Sequence, residues 1–332
     1  MSALDANSPI GQLEAFVPEY GGRAYGLEPL MLPPDPVRCD ADGQLMRQYA
    51  ELLGQGPGPG PGAESSNAPV AADSAERLFW FRWITGHQVT FMLWQELGRR
   101  AAEAAVAAPP DDAAPMGRLV RGYSAMLLYT ASCTRDVYLR IIRPSMALHH
   151  PAFSGAWARD YGPVRALLRG RLPAARDGRS DALSEECALN ERVHEGIAAK
   201  LVPDAPSLLQ SATGTCRPLP RDVRAALFDT YFLTLRAPCA PEEVAAQLLR
   251  RLRAVRDDLA ANGLYPASAS SRAERPEALR APQIEEIEPA VPELLGNIAR
   301  DFVRRSSPER TLPSSSTRTA EHSMEGSGCH GA

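Results

Sequence analysis

The chain has 332 residues, a formal charge of −4 and a pI near 5.9. That balance gives no reason to expect nucleic acid or an anionic membrane as a partner. Six cysteines, at positions 39, 133, 187, 216, 239 and 329, form no CxxC or CxxCH, which argues against a zinc cluster, a redox pair and the usual c-type haem attachment. The first twenty residues have no basic start followed by an apolar core. Nothing later is long and apolar enough to span a bilayer, so a reduced, cytoplasmic protein is expected. Ala, Leu and Arg are abundant and β-branched residues are sparse, which predicts an all-α fold.

Prolines and glycines break the first forty residues. Glu28 to Pro36 reads as an extended arm rather than a core element. Residues 44–53 have the pattern of a short helix, and Gly54 to Gly62 alternates Gly and Pro as a linker. Residues 1–72 are therefore expected to be arm and linker, 73–266 the helical domain, and 267–332 a polar, largely disordered tail.

Asp73 with Glu76 is a capping-box pattern ahead of a long aromatic helix that should run to about Ala105. A second helix is expected from Met116 to Ile142, stopped or kinked by Pro144. His149-His150-Pro151 makes a turn, and a weaker helix over 156–169 is interrupted by Gly162-Pro163. Ser184 is read as the cap of a third helix, Glu185 to Val202. Residues 207–220 read as irregular. Helices follow at Arg221–Leu235 and Pro241–Ala261, the latter closed by Asn262-Gly263. Beyond 266, only Ile284 to Arg304 keeps an amphipathic pattern.

The aromatic helix carries three of the four tryptophans and one of only six histidines, His87. Cys187, His194, Ala198 and Leu201 share a stripe of the third helix, because seven residues make about two turns. Each histidine alone is more readily a hydrogen-bonded core imidazole than a ligand. Two of them in one helical domain also match a haem site, which takes one axial imidazole and often a second across the plane. Gly86 is read as giving a flat ligand access to the backbone beside His87. His149-His150 reads as a turn-capping pair. The sequence has no HExxH, GxSxG, Walker or GxGxxG motif, so metalloprotease, hydrolase, NTPase and dinucleotide chemistries have no support. Arg140 and Arg143, near a helix end, are read either as surface cations or as a fork for a substrate carboxylate.

The run from Phe81 to Trp94, FRWITGHQVTFMLW, resembles the haem-dependent L-tyrosine hydroxylases of bacterial natural-product pathways. It is more distantly similar to the distal helix of tryptophan 2,3-dioxygenase. The segments 143–161, Asn190 to Glu195, and Asp257 to Pro266 carry the resemblance further, over about residues 27 to 266. It implies a helical haem-dependent aromatic oxygenase with non-covalent haem b. It makes His194 the proximal iron ligand and His87 the distal catalytic histidine, with Trp83 and Phe91 walling the substrate ring. It implies Arg143, then Arg140, for the substrate carboxylate, with contributions from Ser154 in the Pro-Ala-Phe-Ser-Gly turn and from Thr213 in the Thr-Gly-Thr loop. Glu191 is the candidate partner of the proximal imidazole.

The related group that hydroxylates 3-methyltyrosine attaches its haem through a His-x-x-x-Cys cysteine, and no histidine here has a cysteine four residues on. The expected reaction is peroxide-driven hydroxylation of L-tyrosine, or a close analogue, ortho to the phenol to give L-DOPA for antibiotic biosynthesis, by a homodimer. An indole dioxygenase, a non-catalytic haem-binding protein and a helical scaffold with no cofactor are the competing readings.

Overall fold

A computed structural model describes residues 25–34, 75–106, 113–170, 180–203, 206–213, 219–266 and 272–306. These residues form an all-α body around one short pair of parallel strands, β1 (Leu30–Leu32) and β2 (Thr234–Arg236). The main helices are α1 (Ala75–Val106), α2 (Ala113–Thr130), α3 (Arg143–His149), α4 (Tyr161–Leu168), α5 (Ser180–Leu201), α6 (Arg221–Tyr231), α7 (Pro241–Asn262) and α8 (Ile287–Ser306). The Asp73 cap, the 44–53 helix and the Gly/Pro run lie outside the described residues.

Helix α1 is apolar on nearly every side, so it is surrounded: α2, α4 and α7 all pack on it. Helix α2 then packs on α5 and α8. Close approach of α1 and α2 is why Gly86 is a glycine. A Cβ there would run into Thr130 and come within 3.1 Å of Tyr129. Gly86 therefore faces a neighbouring helix, and the expectation that it opens the backbone to a ligand is corrected.

Other expectations need correction as well. The segment expected as one helix from Met116 to Ile142 breaks at Ala131–Thr134. Lys200 donates to the freed carbonyls of Ala131 and Cys133, at 2.8 and 2.6 Å, so the break is satisfied internally. Thr134 caps the next turn, and a π-turn over Tyr138–Ile142 leads into Pro144 at the start of α3. The wider turn absorbs the proline, whose missing N–H is harmless in a first helical turn. The same logic puts Gly162-Pro163 in the first turn of α4 rather than at an interruption. Ser184 lies inside α5, which starts at Ser180. A capped turn, Leu208–Ser211, interrupts the loop expected after α5.

The arm is not peripheral where it is described. Leu30 and Leu32 are wholly buried, and Gln88 and Arg251 donate to the Glu28 carbonyl. Gln247 pairs with both backbone groups of Met31, at 2.7 and 2.8 Å, replacing a third strand. The expected end of the domain at 266 also understates the body. Helix α8 packs on α7 and α2 and buries Ile287, Val291, Leu295 and Ile298. The helix read from Ile284 onward is thus part of the core. Asn262-Gly263 closes α7 as expected, with Gly263 at φ 67°.

One polar hub ties these pieces together. Arg82, fully buried, donates to Asp258 (2.8 Å), Ser132 (2.9 Å), and the carbonyls of Gly263 (2.7 Å) and Leu264 (2.6 Å). Tyr129 donates to the same carboxylate at 2.7 Å. Within the Asp257 to Pro266 segment, Asp258, Gly263 and Leu264 serve this hub.

Candidate active site

Trp83, His87 and Phe91 are spaced four apart on α1 and form a continuous stripe. The His87 ring lies 4.3 Å from Trp83 and stacks on Phe232, 4.4 Å away with 20° between the planes. Phe91 meets Phe232 edge-on at 5.3 Å and Phe228 at 5.5 Å. Behind them Phe153 touches Phe228, Tyr231 and Phe232. Tyr138, on the π-turn, closes the other side against Trp83 at 6.2 Å.

The polar groups of this aromatic chamber are few. His87 Nδ1 is 2.6 Å from the Trp83 carbonyl, one turn back, so Nδ1 carries the proton and donates. Nε2 is left as a lone-pair acceptor. Burial in the aromatic layer pushes the imidazole pKa down to about 4, against the carbonyl bond that raises it, so the ring is neutral near pH 7. The buried Trp83 indole N–H makes no hydrogen bond of good geometry, although it lies close enough to the Tyr231 hydroxyl to lower that phenol's pKa. Close by, Ser145 and the Tyr231 hydroxyl share a 2.7 Å bond. Burial raises the Tyr231 phenol to about 12, so it stays protonated.

The expected substrate residues divide. Arg143 donates to the Pro206 carbonyl at 2.8 Å, and its charge is felt by Tyr138, beside Trp83. Arg140 points away from the chamber: it is exposed and paired with Glu76 (3.2 Å) and Asp136 (3.3 Å). Ser154 caps the 3-10 turn Gly155–Trp157 by accepting from Ala156 N–H. Thr213 is exposed and donates to Leu209. Phe91 is 1% exposed and stands in the second row of the chamber wall. Of the pair expected to cap a turn, His150 does so, its Nδ1 accepting from Ala152 N–H, while His149 Nε2 instead bonds the distant Leu227 carbonyl.

His194 stands on α5, which packs on α2, and its side chain is exposed. Its stripe is buried at Cys187 and Leu201 but open at His194 and Ala198. The uniformly apolar face expected there is corrected to a gap between two covered ends. No described residue bonds the His194 ring, and none bonds Glu191, which is also exposed. An imidazole free of partners is the donor that axial ligation to haem iron requires. On chemistry both imidazoles suit the group, one free on α5 and one neutral and oriented beside Trp83 and Phe232, but among the described residues no contact brings the two together.

The family model of the SfmD 3-methyl-L-tyrosine peroxygenase matches residues 40–187. Over these residues the chain is similar to that peroxygenase family. The matched region is a little under half of this chain and contains Trp83, His87, Phe91, Tyr138 and Arg143. It ends before His194 and Phe232. No curated protein matches the chain. Among the described residues, no helix is long and apolar enough to cross a membrane, and no His, Cys, Asp and Glu cluster has the form of a metal-ion site. Cys133, Cys187 and Cys239 are free thiols.

Phe232, Tyr231 and Tyr138 join the candidate site around His87 and Trp83 and were not singled out from the sequence. The signal was present in Phe228, Tyr231 and Phe232, three aromatics within five residues of a chain that is only 6% aromatic.

Proposed function

We propose that this chain is a haem-dependent peroxygenase that adds one oxygen ortho to the phenol of L-tyrosine or its 3-methyl derivative. The net reaction consumes one hydrogen peroxide and releases one water, the ring carbon exchanging its hydrogen for hydroxyl. With L-tyrosine the product is L-DOPA, and a natural-product pathway is the setting that the family relationship supports. The carrying observation is His87, neutral and with Nδ1 pinned, so that Nε2 is a ready base inside an aromatic chamber.

Non-covalent haem b, held by His194, would supply the iron that activates peroxide. The chain's own groups handle substrate and protons. Trp83 and Phe232, which flank the His87 ring, are the apolar surfaces that a phenol ring brought to Nε2 would meet. His87 Nε2 takes the proton of the phenol or of peroxide. The Trp83 carbonyl then stabilises the imidazolium through Nδ1–H. Withdrawing the phenolic proton enriches the ring at the ortho carbon, where oxygen must arrive. Arg143 is the carboxylate partner that this reading favours, since it alone of the two candidate arginines lies near Tyr138 and Trp83.

The test is mass spectrometry of haem-supplemented protein with peroxide and either amino acid. Gain of one oxygen on the ring of one or both supports the proposal. Haem-loaded protein that leaves both unchanged refutes it, and two oxygens added to an indole would make it a dioxygenase.

A further inference from the structure

A cavity of about 230 Å³ lies between the 3-10 turn Gly155–Trp157, the first turns of α4 and the N-terminal half of α6. It is separate from the chamber of His87, although Trp157 in its wall is linked to that chamber through Phe153 and Phe232. Its lining includes four arginines, Arg159, Arg165, Arg221 and Arg224, and one carboxylate, Asp222.

The charges do not balance. Arg159 is held by Asp229 at 3.1 Å, and Arg236 pairs with both Asp229 (2.8 Å) and Asp160 (2.7 Å), so these two arginines and two aspartates cancel. Arg165, Arg221 and Arg224 remain, and no described residue pairs with them. Arg224 Nε is buried and has no hydrogen-bond partner. A buried guanidinium N–H without an acceptor is costly unless a ligand supplies one. The eleven-residue helix α6 also begins here, after Pro220, with no side-chain cap, which adds to the positive potential.

We propose that this cavity binds a small ligand bearing a carboxylate or phosphate, at a site distinct from the aromatic chamber. Planar guanidinium forks match both oxyanions bidentately. Arg224 contacts the ligand from inside the cavity, Arg165 and Arg221 close over it from the exposed rim, and Asp222 restricts the site to ligands with an anionic end that avoids it. The cavity holds several water-sized volumes, enough for a group the size of an amino acid or a small phosphate ester.

Inorganic phosphate and succinate, each titrated into the full chain by calorimetry at fixed ionic strength, test the assignment. One of them should bind saturably, and Arg224→Gln should weaken it about tenfold or more. Arg221→Gln, at an exposed position, gives the same test without disturbing a buried group. Tighter phosphate assigns a phosphate ester, and tighter succinate a carboxylate. No saturable binding beyond a chloride control, or binding unchanged in both variants, would overturn the proposal.

Discussion

His87 and Phe232 are stacked at 4.4 Å, and the residue after His87 secures that stack: Gln88 Nε2 donates to the Phe232 carbonyl at 2.9 Å. Consecutive residues of α1 thus hold both the ring and the backbone of one residue, 144 positions on. Arg251 fixes the Gln88 amide in turn, at 2.9 Å. Gln88→Leu should cost about 2–3 kcal/mol, because the Arg251 Nε and the Phe232 carbonyl lose their partner. It should also weaken substrate binding more than it slows turnover, since it loosens one wall and leaves His87 in place. Urea unfolding and a KM against kcat comparison read both effects.

His87→Phe should keep the chamber filled and abolish most hydroxylation, about a hundredfold or more, the usual scale of a lost acid–base group. Haem content should be unchanged. Trp83→Ala should instead raise KM, by removing one flat wall. Single-turnover and steady-state rates on the two substrates separate these outcomes.

The lowered pKa of His87 has a consequence for stability. Its folded value, about 4, lies below the ordinary value of 6.5, so between the two the unfolded chain binds the extra proton. Stability contributed by the neutral ring is therefore present above about pH 6.5 and is lost as pH falls towards 4. The slope should approach about 1.4 kcal/mol per pH unit at most. Urea midpoints across that range should show it, and His87→Phe should flatten this part of the profile.

Removing Asp258 should test the Arg82 hub. Asp258→Ala leaves a buried guanidinium with two carbonyls and a hydroxyl, and should cost about 3–5 kcal/mol. Replacing both partners by apolar residues should cost less than that single change. A double-mutant cycle measures the difference.

The all-α fold was legible because helix formers and long apolar periods act locally. Trp83, His87 and Phe91 were legible for the same reason: four-residue spacing on one helix needs no tertiary information. Phe232 was not, because its place beside His87 depends on a hydrogen bond spanning 144 residues. Leu30 and Leu32 were hidden by their prolines. They are buried by pairing with β2 and by Gln247, neither of which leaves a local pattern. The break after Thr130 was missed because its carbonyls are satisfied by Lys200, a distant residue that reads as an ordinary surface cation. The tail after 266 looked too polar, yet Ile287, Val291, Leu295 and Ile298 fall on one helical stripe that meets α7 and α2. His194 shows the opposite failure. Its stripe was correctly placed, but exposure at its middle depends on what packs over α5.

An absorption titration with haem, on the wild-type chain and on His194→Ala and His87→Ala, tests the account most directly. The wild type and His87→Ala should each take up one haem per chain with a histidine-ligated Soret band, and His194→Ala should lose it, regaining it with added imidazole. Unchanged haem uptake by His194→Ala, or a wild-type chain that remains colourless, would contradict the assignment.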